Sequence, residues 1–145
     1  MGLSNFIKNL VQATKTTAFD PGVFNDELYF GVNEDVWRWN NGSPELHYDA
    51  PVRNWGLNYL SPGPNFLLAG YLFSEGSFDR QIAFLDENGL NRELISNCVG
   101  PTNYAVEDEQ GRIWLGEGWE KIRYLPNASA AECERITFAG PFHDA

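Results

Sequence analysis

Basic residues are scarce in this sequence. Its 10 Lys and Arg stand against 20 Asp and Glu, which gives a formal net charge of −10, and no stretch gathers the basic residues into a patch. Nucleic acids and anionic membrane surfaces would both be repelled by this charge. We therefore expect no nucleic acid among the partners of this protein.

Long hydrophobic runs are also missing. No apolar run approaches the roughly 20 residues that a helix needs to cross a bilayer, so we expect no membrane insertion. The N-terminus has no basic start, apolar stretch or small-residue cleavage site of a signal peptide. Two alternatives follow for the compartment. Either the protein is made for the cytoplasm, or Met1-Gly2 stands where the natural protein has a leader that directs it elsewhere.

Cysteine and histidine are few and scattered. Cys98 and Cys133 have no metal-type spacing and no His beside them, so they predict neither a zinc site nor a disulfide framework. They are either two half-buried thiols or a single disulfide between the outer strands of neighbouring repeats. His47 and His143 lie outside any Ser or Cys motif of a catalytic triad. We expect no metal, no cofactor and no enzyme active site.

What the chain does contain is a series of short apolar runs separated by turn residues. It has 145 residues, 43% apolar and 14% aromatic, enough for one domain with a real core. From residue 21 onward the runs are bounded by Asn, Asp, Gly and Pro, which is typical of strands joined by tight hairpins. The strands are predicted at 27–32, 35–39, 45–48, 66–71, 80–85, 93–96, 104–107, 112–116, 119–125 and 134–138. This pattern predicts an antiparallel all-β fold.

The first 20 residues differ from the rest. Apolar residues at 3, 6, 7, 10 and 11 form one helical stripe, and Ser4 is a suitable N-cap. The pattern predicts a short N-terminal helix. A strand that closes a ring of sheets is the alternative, because Thr14, Thr16 and Thr17 follow at once.

Three stretches of the chain can be aligned. In each, an apolar strand ends in a glycine, a turn follows, and a second strand carries aromatic or aliphatic residues; the glycines are Gly31, Gly70 and Gly116. A small residue followed by proline closes each unit, as Ala50-Pro51, Gly100-Pro101 and Gly140-Pro141. A period of about 40 to 50 residues with four strands each is typical of β-propeller blades. The predicted organisation is an N-terminal extension at 1–20 and blade-like repeats at 21–64, 65–101 and 102–145.

Residues 103–116, NYAVEDEQGRIWLG, carry a family resemblance. A strand ending in Glu107, an Asp and Gly turn and then Ile113-Trp114-Leu115-Gly116 resembles the repeat of two-component regulator propellers. The match is good over 103–125, fair over 27–39 and weak in the middle unit, which lacks the Trp. The resemblance implies a sensory module of a seven-bladed propeller, in the periplasm or outside the cell. The three repeats of this sequence are fewer than the seven blades of that family.

An array of three blades leaves apolar faces bare at its ends. Four arrangements would cover them: further blades in a longer polypeptide, self-association of copies into a ring, shielding by the N-terminal helix, or a small sandwich or barrel that contains repeats. The expected partners are therefore the remaining blades or own copies, besides a possible small-molecule or glycan ligand.

Tryptophans are the best candidates for a ligand site, because aromatic faces hold sugars and quaternary ammonium groups. Trp37 and Trp114 are in the interiors of predicted strands, and their side chains are expected to fill the space between blades. Trp55 and Trp119 stand next to polar turns and are predicted to bind ligand, together with their neighbours Arg53 and Glu117. The acidic turns at 86–89 and 107–111 lack the ligand pattern of a calcium loop and are predicted to be hairpin tips.

These observations leave three hypotheses for function. The first is a non-enzymatic binding or sensory propeller module that recognises a glycan, another small ligand or a protein. The second is a scaffold that completes a propeller ring with its own copies or with a longer chain. The third is a subunit of a propeller-type hydrolase or lyase.

Overall fold

The computed structural model describes residues 21–51, 54–73, 80–96, 104–116 and 121–137. Within these ranges the chain is all-β, with 12 strands in three four-stranded antiparallel sheets. Sheet 1 comprises β1 (Gly22–Phe24), β2 (Glu27–Val32), β3 (Asp35–Asn40) and β4 (Ser43–Tyr48). Sheet 2 comprises β5 (Asn54–Pro62), β6 (Leu67–Phe73), β7 (Arg80–Asp86) and β8 (Gly89–Ser96). Sheet 3 comprises β9 (Ala105–Glu107), β10 (Ile113–Gly116), β11 (Lys121–Leu125) and β12 (Glu134–Thr137).

Each sheet is a meander in which consecutive strands pair. The first strands of the sheets lie beside one another, since β1 contacts β5 and β5 contacts β9, while β4 meets β8 at the opposite edge. Stacked four-stranded meanders with neighbouring first strands are the blades of a propeller, and the three described sheets do not close a ring. The predicted all-β, blade-like class is thus confirmed, whereas the N-terminal helix at 1–20 lies outside the described residues.

Turn chemistry explains the tightest hairpins. Asn41 and Gly42 both have positive φ, at 49° and 84°, and they join β3 to β4. Two positive φ angles in a two-residue connection make a type I′ turn, whose twist matches that of the paired strands. Asn25 and Asp26, at 50° and 61°, form the equivalent connection between β1 and β2. The Asn, Asp and Gly signals in the sequence therefore mark real hairpins.

The sheets pack face to face in chain order. We call the face that points to the next sheet the forward face and the opposite one the backward face. Sheet 2 is covered on both faces, which explains why β6 and residues 82–85 of β7 are continuously apolar instead of alternating. Leu85 and Phe84 are neighbours in β7, and both are fully buried although they point to opposite sides.

Junction 1–2, between the first two sheets, has a core rich in tyrosine. Its buried members are Phe24, Tyr29, Val36, Tyr48, Ala50, Leu60, Leu67, Ala69, Tyr71, Ala83 and Leu85. Burial raises the pKa of Tyr71, and its hydroxyl donates to the carbonyl of Glu34 at 2.9 Å. Tyr48 donates to Glu93 at 2.6 Å. The buried hydroxyls are thus hydrogen-bonded across the junction, as buried polar groups require.

Junction 2–3 has a core that is mostly aliphatic. Its buried members are Tyr59, Leu68, Ile82, Phe84, Leu94, Ala105, Ile113, Leu115 and Leu125. Polar contacts lie at its margins, where the guanidinium of Arg92 donates to the carbonyls of Ala128 and Ala130 in the loop between β11 and β12. At this second junction the hydrocarbon contacts and the polar contacts are therefore spatially separate.

Of the two alternatives for the cysteines, thiols or a disulfide, the structure shows a disulfide. Cys133 packs against the core of junction 2–3 and is disulfide-bonded; the other cysteine of the sequence, Cys98, lies outside the described residues. A disulfide at this position restrains the unfolded chain and stabilises the fold through that restraint.

The sheet boundaries differ from the units drawn from the sequence. β5 falls inside the predicted first repeat, 21–64, but it is the first strand of sheet 2. The glycine-containing strands that define the period are second strands of their sheets, and the boundary drawn after residue 64 left β5 in the preceding unit. β1 and β9 fall in the same predicted units as the rest of their sheets.

Candidate functional site

The three aligned glycines lie at corresponding positions in the second strands of the sheets: next to the end of β2, in the middle of β6 and at the end of β10. The residue two positions before each glycine points forward. These residues are Tyr29, Leu68 and Trp114. The first two have no exposed surface, because sheets 2 and 3 cover them, whereas Trp114 is only half-buried. Of the three forward faces, that of sheet 3 alone has no described sheet packed on it.

The space around Gly31 and Gly116 shows the same difference between sheet 1 and sheet 3. A Cβ placed on Gly31 would collide with the side chain of Leu57 in β5, because the next sheet fills that space. A Cβ on Gly116 would meet no atom of the described residues within 4 Å. The space that sheet 2 fills over sheet 1 is therefore open over sheet 3.

Strand register fixes which side chains make up this open face. Trp114 pairs with Val106 on one side and with Tyr124 on the other, and Ile122 pairs with Ile136. Val106 is 46% exposed and Ile136 is 38% exposed. We call the forward face of sheet 3, formed by these five side chains, the open face.

An aromatic pair lies at the centre of the open face. The rings of Trp114 and Tyr124 are 5.0 Å apart at 31°, and the guanidinium of Arg112 lies 5.3 Å from the centre of the Trp114 ring. The hydroxyl of Tyr124 donates to Glu134, and this hydrogen bond raises the pKa of Tyr124. Both rings are therefore held in place by contacts within the sheet.

Asp108 organises the turn beside the open face. Its carboxylate accepts hydrogen bonds from Trp114 Nε1 at 2.8 Å and Arg112 Nε at 2.7 Å, and from the backbone N–H groups of Gln110 and Arg112. Desolvation acts to raise its pKa, but these hydrogen bonds outweigh it and lower the pKa to about 2. An ionised carboxylate with four donors around it has no proton to give at neutral pH, so its role is to fix Trp114 and Arg112.

Glu107 points the other way, into junction 2–3. One of its oxygens accepts the backbone N–H groups of Asn65 and Phe66, both at 2.9 Å, and the other accepts the side-chain amide of Asn65 at 3.0 Å. It is nearly fully buried. Glu107 thus ties the turn between β5 and β6 to sheet 3 and takes part in stacking, while its neighbour Asp108 serves the open face.

The four residues predicted to bind ligand are not placed by the structure. Arg53, Glu117 and Trp119 lie outside the described residues, and Trp55 lies in β5 with a side chain that is not described. The ligand site built on them stays a prediction. The members of the open face were missed as site residues, because Trp114 was expected to pack inside the array and Val106 and Ile136 carry no chemical motif.

The described part of the chain gives two further findings. In the ranges described, no group of three or more His, Cys, Asp or Glu side chains could hold a metal ion. The same ranges contain no helix long and apolar enough to span a membrane.

The acidic turns predicted to be hairpin tips do connect paired strands, β7 to β8 and β9 to β10.

Comparison of the chain with models of known protein families, with curated proteins and with solved structures gives no match. The resemblance of residues 103–125 to two-component regulator propellers therefore stays a prediction.

Proposed function

We propose that this chain is a non-enzymatic binding module of β-propeller type, and that its ligand is a protein surface that covers the open face. The observation that carries the proposal is the exposure of Val106 and Ile136 at positions where the two preceding sheets are covered. Exposed apolar side chains that share one sheet face mark sites of protein association more often than isolated ones do.

The chemistry of the open face favours a protein over a sugar. A sugar would stack on a free aromatic ring, whereas Arg112 already lies over Trp114. The aliphatic side chains around the ring pair need an apolar partner surface, since covering them releases about 25 cal/mol per Å² of buried apolar area. A protein partner supplies that surface, and in doing so acts as the next blade of the stack.

Site-specific photo-cross-linking in the producing cells tests this proposal. A photoreactive amino acid replaces Val106 in one protein and Leu90 in the other; both are 46% exposed, but Leu90 lies beside the hairpin between β7 and β8. We expect one defined protein adduct from position 106 and none from position 90. Adding Ile136→Asp to the first protein should abolish the adduct.

Equal adducts at both positions, or none at position 106, would overturn the proposal. A glycan array on the unmodified chain addresses the sugar ligand separately. Glycan binding that is lost in Trp55→Ala or Trp119→Ala and kept in Val106→Asp would place the ligand at the predicted tryptophan site instead.

A further inference from the structure

The backward face of sheet 1 is an apolar surface at the end of the stack opposite to the open face. Strand register places Phe30, Trp37 and Leu46 in one row across it. Val23 and Leu28 pair on the same side. Sheet 2 packs on the forward face, and neither junction core includes a residue of the backward face of sheet 1. A stack of repeats that ends in such a face requires a cap.

Exposure on this face is graded. Phe30 has no exposed surface and Val32 is nearly buried. Trp37 is half-buried, whereas Leu46 is 44% exposed and Val23 is 64% exposed. Neighbours on the same sheet face contact a ring at its sides and leave its outward surface open. The complete burial of Phe30 therefore requires an element above it.

The point of greatest burial is where the chain enters the sheet. Gly22 pairs with Tyr29, so the chain that leads into Gly22 comes in beside Phe30. Exposure rises away from this point, both towards the hairpin between β1 and β2 and towards the outer strand β4. The element that covers Phe30 is thus placed next to the segment that precedes β1.

Residues 1–20, which lie outside the described residues, have the sequence of such a cap. Their apolar residues at 3, 6, 7, 10 and 11 predict one helical stripe. A helix rises about 12 Å from residue 3 to residue 11, and four strands span about 15 Å. The residues from 12 to 21 can bridge up to about 33 Å, so the stripe can reach every strand of sheet 1.

Charge also favours this segment over an acidic partner. Lys8 and Lys15 stand against Asp20 alone, which gives residues 1–20 a formal charge of +1. Since the whole chain carries −10, the other residues carry −11. The net charge of the sheets therefore attracts this segment, whereas it repels an acidic chain.

We infer that residues 1–20 cap the stack, with their apolar stripe packed on the backward face of sheet 1 over Phe30 and Val32. The cap fills one apolar end of the stack within the chain itself and leaves the open face as the end that receives a partner. The inference concerns a different surface from that of the proposed function, so either can fail without the other.

Intramolecular photo-cross-linking of the whole chain tests the cap. The photoreactive amino acid p-benzoylphenylalanine replaces Trp37 in one protein, on the backward face, and Leu90 in the other, beside the hairpin between β7 and β8. Mass spectrometry of the peptides maps the cross-links. We expect position 37 to be linked to residues 1–20 and position 90 not to be.

A matched pair of double variants tests the stripe. Phe6→Asp with Leu10→Asp places two charges on it, and should lower the yield of the cross-link from position 37 about tenfold or more, because two buried apolar side chains become charged. Asn5→Asp with Asn9→Asp adds the same charge off the stripe and should leave the yield unchanged. Circular dichroism shows whether each variant is folded, and Leu10→Asp alone replaces the first pair if it is not.

Three results would overturn the cap. The first is no cross-link from position 37 to residues 1–20. The second is a link from that position to another part of the chain or to a second molecule in its place, and the third is an equal loss of yield in the two double variants. The adduct at position 106 is measured in separate proteins, so a failed cap leaves the proposed function standing.

Discussion

Junction 1–2 and junction 2–3 stack equivalent sheets with different chemistry. The first holds Tyr29 and the small Ala69 in one core, and the hydroxyls of Tyr48 and Tyr71 reach partners across the interface. The second buries Leu68 with the larger Leu115, and its polar contacts lie at the margins. One stacking geometry therefore accepts cores of different composition.

This difference also explains why the repeat is faint in the middle unit. The side chains that meet in one junction must fit one another, so the residues on the forward face of one sheet depend on those on the backward face of the next. Equivalent positions of different sheets are under no such requirement and need not carry the same residue. Tyr29, Leu68 and Trp114 thus occupy the same position with different residues. What recurs is the glycine in the second strand and the order of four paired strands.

The largest expected effects come from opening a cavity in each junction. Phe84 and Leu85 are adjacent and fully buried, but they face junction 2–3 and junction 1–2 respectively. We expect Phe84→Ala to lower the free energy of unfolding by about 3–5 kcal/mol and Leu85→Ala by about 2–5 kcal/mol. Urea denaturation followed by tryptophan fluorescence measures both, and Leu90→Ala on an exposed position is the control.

If the two junctions form one cooperative unit, both variants unfold in a single transition. A loss below about 1 kcal/mol for either variant would contradict the burial of that residue in a tightly packed core. Two separate transitions in one variant would show that the junctions unfold independently.

A smaller effect is expected at the carboxylate that holds the margin of junction 2–3. Glu107→Gln keeps the shape of the side chain but replaces one acceptor oxygen by an NH₂ group. When the remaining oxygen keeps the two backbone N–H groups, the NH₂ group faces the side-chain Nδ2 donor of Asn65. We expect a loss of about 1–3 kcal/mol, the usual cost of a buried donor left without its acceptor. Thermal unfolding measures it, with exposed Glu109→Gln as the control; equal stability of the two variants would contradict a tie through Glu107.

The smallest expected effect is a pH dependence at junction 1–2. His47 Nε2 lies 2.7 Å from the carbonyl oxygen of Asp86. Burial lowers the pKa of His47 below its ordinary value of 6.5, although the hydrogen bond to Asp86 acts in the opposite direction. Below pH 6.5 the unfolded chain takes up this proton before the folded one, so the contribution of His47 to stability is present above pH 6.5 and is lost as pH falls through the lowered folded pKa.

Urea midpoints measured above and below pH 6.5, for the wild-type protein and for His47→Gln, isolate this contribution. The other histidine of the sequence, His143, is present in both proteins, so its contribution cancels in the difference. The wild-type midpoint should fall more on acidification than that of the variant. Parallel pH profiles would mean that His47 titrates alike in the folded and unfolded chains.

The pattern of short runs and turn residues was enough to predict the all-β class and the blade-like repeat. Asn41-Gly42 shows why: a dipeptide that accepts two positive φ angles specifies its hairpin locally. β1 and β5 were not predicted. β1 has three residues, and β5 contains register shifts at Leu57, so neither presents a regular alternation to count.

Hairpins and strands, then, were determined by the sequence itself, because turn geometry and side-chain periodicity act over a few residues. The tertiary structure alone decided which face of each sheet is covered. Val106 and Leu90 are both exposed apolar residues of β-strands. Only the stacking of sheets distant in sequence places Val106 on the open face and leaves Leu90 beside a hairpin.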